Sequence, residues 1–323
     1  MQKIFQIKSS DHKNVLEQIS APIPTPKDDE VLIKHTAIGV NFLEYDILRG
    51  NGRKIEVPTI PGVEAVGIIE QKGKNVPNFT IGQKVGYATV SGGAYSEYRV
   101  IKNGYLFPIP DITTDESAAL NMLKGMTAHY LMKRTFFLKE GMTIVIHGAA
   151  CNVGRLVMRL AREYKVNVIA TVGSDDKKQI VADLKAMEVF NYITDDFVKG
   201  VADLTKNKGV NVVYDFIGGD ILKKSLKCLT NFGLAVNAGT ASGRAAPIDP
   251  LLLVNRGIFL TTPRLNWYKQ DRAELMMSVM EICTLIAAKV FPAEADKKYS
   301  FDQIPDALDD IAARTTNSRV ILL

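Results

Sequence analysis

Over the first hundred residues the chain alternates apolar and polar positions in short runs. VLIKHTAIGVN, VEAVGIIEQKG, QKVGYATV and AYSEYRVI all carry the period of two that marks a half-buried strand. Gly, Pro and Asn interrupt these runs at short intervals. APIPTPKDDE and VPTIPG read as turns or extended segments, because proline fixes φ and removes a backbone donor. The pattern predicts a small, irregular antiparallel barrel.

Near Asp111 the period changes. TTDESAALNMLKGMTAHYLMKRT carries apolar residues at helical spacing, with Thr114 or Asp115 as its cap. Strands and helices then alternate: TIVIHG with VGRLVMRLAREY, VNVIATVG with DDKKQIVADLKA, VFNYIT with a further helix, GVNVVYDFIG with DILKKSLKCL, then GLAVNAG and FLTTP. Strands spaced by helices predict βαβ units and a parallel sheet. A long helix over RAELMMSVMEICTLIAAKV and a terminal strand RVILL follow. The economical layout is an α/β chain in which the alternating unit is inserted into the first domain. Residues 1–122 and 263–323 form the barrel domain, and 123–262 the parallel sheet.

Composition narrows the function. A chain of 323 residues with 46% hydrophobic and 23% charged residues builds a packed core without staples. The net charge of +5 is spread along the chain, with no basic block interleaved with aromatics, so nucleic-acid binding is not expected as a primary role. Cys151, Cys228 and Cys283 are far apart and form no C-x-x-C pair, so a structural zinc has no ligand spacing. The odd cysteine count, with no signal-like start and no long apolar run, predicts a cytoplasmic chain that does not enter a membrane.

The alternating unit opens on IVIHGAACNVGRLVMRLA, a strand, a tight turn and a helix. A dinucleotide turn of the form G-x-G-x-x-G lets pyrophosphate approach backbone amides at a helix N-terminus. Here the three positions are Ala149, Cys151 and Gly154. Ala149, Ala150 and Cys151 are small, and Gly154 keeps the position where helix packs on strand. The next strand ends in Thr171, Val172 and Gly173, with Ser174 and Lys177 beyond. No acid stands at that tip to hold a ribose diol, and a hydroxyl and an ammonium suit a 2′-phosphate, so NADPH is expected over NADH. Asp175 and Asp176 either oppose a phosphate there or are acids at a helix start. His147, Met122, Met126 and Met132 are read as packing residues, Cys151 as a small filler, and Trp267 and Tyr268 as either cleft or crossover residues.

Taken together, AIGVNFLEYDILRG, PTIPGVEAVGII, GAYSEYRV, LNMLKGMTAHYLM, HGAACNVG and VVYDFIGG resemble the zinc-independent quinone oxidoreductases (zeta-crystallin-like) of the medium-chain dehydrogenase/reductase superfamily. The resemblance spans nearly the whole chain. It implies a GroES-like β-barrel catalytic domain plus a Rossmann doubly wound parallel sheet, with NADPH held in the cleft between them. Asn41 and Tyr45 are then the catalytic candidates, and Asn41 and Thr127 lie near the nicotinamide. Ala150, Cys151, Asn152, Val153 and Gly154 form the pyrophosphate loop. Gly173, Ser174 and Lys177 meet the 2′-phosphate and Tyr192 the adenine. Ile217, Gly218, Gly239 and Thr240 line the nicotinamide ribose, and Arg319 lies near the pyrophosphate. Pocket walls come from loops around Tyr45, Asn51 and Trp267.

Zinc-dependent relatives need a Cys near position 41 and a His in a G-H-E triplet. This chain has Asn41 and Gly62–Val63–Glu64, so no metal is expected. The resemblance therefore implies hydride transfer from NADPH to an already electrophilic small molecule, a quinone or an enone, without a dedicated general acid, in a homodimer. Two alternatives stay open: an enoyl thioester reductase of the same superfamily, and a cofactor-binding protein with a structural or RNA-binding role.

Overall fold

The computed structural model describes residues 1–8, 16–48, 55–88, 92–313 and 319–323, with backbone alone at Ala312, Arg319 and Val320. Asn51 lies outside the described residues. The chain forms two compact units, Met1–Met126 with Arg272–Leu323, and Thr127–Asp271.

The first segment is built of strands whose inward positions are apolar. β1 (Gln2–Ile7) pairs antiparallel with β2 (Leu16–Ala21). β3 (Glu30–Gly39) is followed by the short helix α1 (Phe42–Leu48), β4 (Glu64–Lys72), β5 (Lys84–Ala88), β6 (Tyr98–Lys102) and β7 (Phe107–Pro108). β3 is the hub, pairing antiparallel with both β4 and β6. Its register with β4 shifts at Leu32/Ile33 and at His35/Ala37, irregularities that bend a sheet. The helix α2 (Asp115–Lys133) begins where Thr114 Oγ1 accepts the Ser117 amide at 3.1 Å, an N-cap bond.

The middle segment alternates as its hydrophobic period requires. β8 (Thr143–His147), α3 (Asn152–Glu163), β9 (Asn167–Val172), α4 (Lys178–Ala182), β10 (Glu188–Asn191) and α5 (Phe197–Leu204) come first. β11 (Val210–Asp215), α6 (Gly219–Cys228), β12 (Leu229–Asn237), α7 (Leu251–Val254), β13 (Phe259–Thr261) and α8 (Leu265–Tyr268) complete it. All six strands run parallel in the order β10-β9-β8-β11-β12-β13. The strand order reverses between β8 and β11, and ligands of such sheets bind outside the carboxyl ends at that reversal. The helix expected over DDKKQIVADLKA is shorter than its period suggests. A 3-10 turn at Asp175–Lys177 precedes α4, and Lys185 at φ 66° turns the chain toward β10.

The last segment returns to the first unit. α9 (Arg272–Ala287), β14 (Lys297–Ser300), α10 (Ile304–Ala313) and β15 (Arg319–Leu322) follow, and β15 pairs antiparallel with β3 and parallel with β14. The completed sheet runs β14-β15-β3-β4-β5-β7. Ile33, Ile38, Val85, Leu106, Ile304 and Ile321 are fully buried in its core. A second core, including Val145, Ile169, Val213 and Ala235, lies against the parallel sheet.

Candidate dinucleotide loop and the Asn41 cluster

β8 delivers the chain into its turn through Gly148, which adopts φ +73°. A Cβ there would lie 2.8 Å from Ile217 Cδ1, so both conformation and space select glycine. The amides of Gly148 and Ala149 both donate to the Thr171 carbonyl at 3.0 Å, and Cys151 N donates to Gly148 O at 2.9 Å. These bonds curl the loop over the end of β9. Ala149 and Ala150 are buried, and Asn152 and Val153 open α3. A Cβ on Gly154 would stand 2.8 Å from Gly148 O, so helix and strand approach closely here.

Cys151 is the N-cap of α3, and its Sγ accepts the Gly154 amide at 3.3 Å. A helix N-terminus ordinarily favours thiolate. Packing of the sulfur outweighs that here and raises the thiol above its ordinary value, although amides of Gly154 and Val153 oppose the shift. The residue keeps exposed surface, but the thiol sits folded onto the helix end as a cap.

At the end of β9, a Cβ on Gly173 would come 2.6 Å from the Tyr192 hydroxyl, which places Tyr192 over that glycine. Tyr192 N donates to Val172 O at 3.0 Å. Ser174 is extended, and Lys177 ends the 3-10 turn. The adjacent acid is already neutralised: Lys178 Nζ lies 2.9 Å from Asp175 Oδ1 and 3.2 Å from Asp195 Oδ2. Asn191 Nδ2 also donates to Asp175 at 3.3 Å. The hydrogen bond from Lys178 leads the causes that hold Asp175 below the usual carboxylate range. Among the described residues Lys177 itself forms no ion pair.

The loops after β11 and β12 are stitched together. Ile217 N and Gly218 N donate to Asp215 Oδ1 at 2.8 and 3.0 Å, and Ser242 N donates to Ile217 O at 2.8 Å. Gly218 is at φ +72°, and a Cβ there would meet Gly243 O at 2.6 Å and Gly239 O at 3.1 Å. A Cβ on Gly239 would meet Phe216 O at 2.4 Å. Thr240 O accepts the Gly243 amide at 2.9 Å. Four strand-end residues share one register level: Thr171, His147, Asp215 and Asn237. His147 Nδ1 is bonded to Thr171 Oγ1 at 2.9 Å, while His147 Nε2, Asp215 Oδ2 and Asn237 Oδ1 are buried without a partner. Burial lowers the His147 pKa to about 3 and raises that of Asp215 to about 6. His147 is therefore neutral and packs edge-on against Phe197 at 4.8 Å.

In the first unit Asn41 ends the segment from β3 to α1 and is buried. Its Nδ2 donates to Glu44 Oε1 at 3.3 Å, and the same oxygen accepts the Val63 amide at 3.2 Å. Glu44 is wholly buried, its Oε2 has no partner, and desolvation leads the causes that raise it to about 7. Beside it, Glu64 Oε1 lies 3.1 Å from Lys124 Nζ, and Glu64 Oε2 accepts the Leu123 amide at 2.8 Å. Tyr45 is half-buried on α1, its ring 5.6 Å from that of Phe42. Glu44, Glu64, Lys124 and Tyr95 escape a sequence reading; the one local signal is that Glu44 sits three residues beyond Asn41.

Of the other candidate residues, Thr127 is half-buried on α2. Arg319 opens β15, and its side chain lies outside the described atoms. Trp267 is exposed on α8, and Tyr268 stacks on Tyr130 with centroids 4.5 Å apart. Met122, Met126 and Met132 are all buried.

Residues 27–111 match the alcohol dehydrogenase GroES-like domain model, and residues 152–279 the zinc-binding dehydrogenase model. The chain is 34% identical to a 2-haloacrylate reductase of Burkholderia, over all of this chain and 98% of that protein. It is 32% identical to a quinone oxidoreductase of Pseudomonas aeruginosa over the full length of both. The crystal structure of Escherichia coli quinone oxidoreductase complexed with NADPH superposes with a TM-score of 0.92 at 30% identity, covering 99% of this chain and all of that one. The second model's name raises zinc, but the donor set does not fit it. Asn41 is an amide tied to Glu44, Val63 offers only methyl groups, and among the described residues no three His, Cys, Asp or Glu side chains converge.

Proposed function

This chain belongs to the zinc-independent quinone oxidoreductase family of the medium-chain dehydrogenase/reductase superfamily, and we propose from that premise how its residues serve an NADPH-dependent reductase of quinones or enones. The observation that carries the reading is the set of loops at the carboxyl ends of β8, β11 and β12. Their glycines let the loops pack against one another where any Cβ would collide, at the point where strand order reverses. When bound, NADPH supplies a hydride: two electrons and one proton pass to the acceptor, NADP⁺ remains, and the acceptor anion takes a proton from water.

Val153 and Gly154, with the small residues Ala150, Cys151 and Asn152, receive the pyrophosphate at the N-terminus of α3. Lys177 and Ser174 bind the 2′-phosphate beside Gly173, and the charge of Asp175 is taken up by Lys178, so it does not repel that phosphate. Tyr192 packs by the adenine. Ile217, Gly218, Gly239 and Thr240 line the ribose, and Arg319 adds positive charge near the pyrophosphate. Asn41 and Tyr45, in the barrel domain assigned to 1–122 and 263–323, and Thr127, in the dinucleotide domain assigned to 123–262, orient the nicotinamide and the acceptor. The chain's contribution is position and exclusion of water. No step runs through a metal.

The protein works as a homodimer in the cytoplasm. β13 is the edge of the parallel sheet, and Phe259 on it is exposed, as are Leu251 and Val254 just before it in sequence and Phe232 on the neighbouring β12. An apolar strand edge of this kind pairs with a second copy. The three cysteines are free thiols, as in a reducing compartment. Among the described residues no helix is long and apolar enough to cross a membrane.

The test is oxidation of NADPH and of NADH against a panel of quinones, enones and enoyl thioesters. Turnover of quinones or enones with NADPH at least tenfold preferred is the expected result. Turnover confined to enoyl thioesters, or none at all, overturns the reading.

A further inference from the structure

A carboxyl group with no exposed surface sits directly against the amide assigned to the reaction, and the proposed function leaves it without a role. Glu44 is fully buried on α1 and contacts Asn41 at 3.3 Å and the Val63 amide at 3.2 Å through one oxygen. Among the described residues its other oxygen meets no partner. The groups facing it are Glu64 from β4, Lys124 from α2 and the Tyr95 hydroxyl, itself buried and unpartnered. The one ammonium in this cluster is held by Glu64 at 3.1 Å. Among the described residues these two buried carboxyls share a single cation, and Glu64 is the one paired with it. Glu44 is the member left to carry a proton, because an isolated buried carboxylate costs far more than a buried neutral carboxyl.

We infer that Glu44 is a positioning residue for Asn41: as an uncharged carboxyl it fixes the amide nitrogen of Asn41 inward and keeps negative charge away from the acceptor. The inference rests on the proposed function, in which Asn41 lies near the nicotinamide. Hydride transfer adds negative charge to the acceptor. A carboxylate one hydrogen bond behind Asn41, in a low-dielectric interior, opposes that charge, whereas a neutral carboxyl or carboxamide does not. Both states of Glu44 accept from Asn41 Nδ2, so ionisation alters the field more than the fold. Burial raises Glu44 to about 7, which puts the change within the working range of most enzymes.

Two variants and two readouts test this. In wild type, the Asn41 side-chain amide resonances in a proton–nitrogen correlation spectrum shift with pH around a midpoint near 7. In Glu44→Gln they stay fixed, because the carboxamide accepts the same bond without titrating. In the kinetic arm, wild-type kcat falls about tenfold as pH rises through that midpoint, a change of about 1.4 kcal/mol. Glu44→Gln holds the low-pH kcat throughout, and Glu44→Leu, which removes the acceptor, loses at least thirtyfold in kcat with the KM for NADPH unchanged. An Asn41 resonance that does not titrate, or a Gln variant that keeps the wild-type pH profile or falls as far as the Leu variant, overturns the inference. If no quinone or enone is reduced at all, the functional reading fails, and the spectroscopic arm still decides whether Glu44 governs Asn41.

Discussion

The Sγ of Cys151 accepts the amide hydrogen of Gly154 across 3.3 Å. In the proposed function the pyrophosphate takes amide donors at the start of α3, so the thiol and the ligand would compete for the same amide. Cys151→Gly should therefore tighten NADPH, with Kd about fivefold lower by titration calorimetry, as loss of one bond of about 1 kcal/mol implies. The cost should appear in the free protein as a lost N-cap worth roughly 0.3 kcal/mol in thermal unfolding. An unchanged Kd would mean that the amide is not used.

The partners of Lys177 and Lys178 differ, and so should their effects. Lys177 is unpaired among the described residues, whereas Lys178 is committed to Asp175 and Asp195. Lys177→Ala should raise the Kd for NADPH about tenfold or more and that for NADH less than twofold, as loss of a charge-assisted bond implies. Lys178→Ala frees Asp175 and should weaken NADPH by no more than about fivefold, the range of exposed ion pairs. Equal losses for NADPH and NADH in the Lys177 variant would remove that lysine from cofactor selection.

Each unit pairs a histidine pushed down with an acid pushed up. In the parallel-sheet unit, burial lowers His147 to about 3 and raises Asp215 to about 6. In the barrel unit, burial lowers His35 to about 4 and raises Glu44 to about 7. A histidine that stays neutral in the fold costs stability as pH falls below its unfolded value of about 6.5. An acid that stays protonated in the fold costs stability as pH rises above its unfolded value of about 4. Between about pH 4 and 6 the two slopes oppose each other. Asp215→Asn keeps the acceptor for Ile217 and Gly218 but removes one slope. Its unfolding free energy should then rise with pH across that window by about 1.4 kcal/mol per unit relative to wild type, measured by urea denaturation at several pH values. A parallel pH dependence in variant and wild type would contradict the assignment.

Phe259 stands exposed on the sheet-edge strand β13. A lysine there places charge on the edge and blocks strand addition. Phe259→Lys should halve the mass found by light scattering after gel filtration while leaving the circular dichroism spectrum unchanged. A variant that retains the wild-type mass would exclude this edge as the subunit contact.

Periodicity made the architecture readable. The alternation in β3 and β4 and the helical spacing in α2 and α9 are local properties, and each recurs in the structure. The turn at Gly148 to Gly154 was readable because small residues in a row between a strand and a helix have few other uses. The Asn41 cluster was not. Glu44 takes the amide of a residue 19 positions away, and Glu64 takes a lysine 60 positions away. Nothing in the local pattern distinguishes those carboxyls from surface ones. The same holds for Asp175, which reads as an acid opposing a phosphate until Lys178, Asp195 and Asn191 are seen around it. The length of α4 was overestimated because the helical period continues past Ala182, where the chain must turn to register β10 on β9.

The pairing of β15 with β3 sets an order of assembly on the ribosome. The parallel-sheet unit is contiguous, Thr127–Asp271, and all its strands have emerged while the other unit is still short of two. β4 lines one side of β3; on the other, β6 covers Glu30–Lys34, and Ala37–Gly39 wait for Arg319–Leu322, nearly three hundred positions downstream. Until then the end of a central strand has an open edge, the feature that invites pairing between nascent chains. The domain that begins first is finished last, and a frameshift just ahead of β15 would spare the dinucleotide fold and strand the barrel.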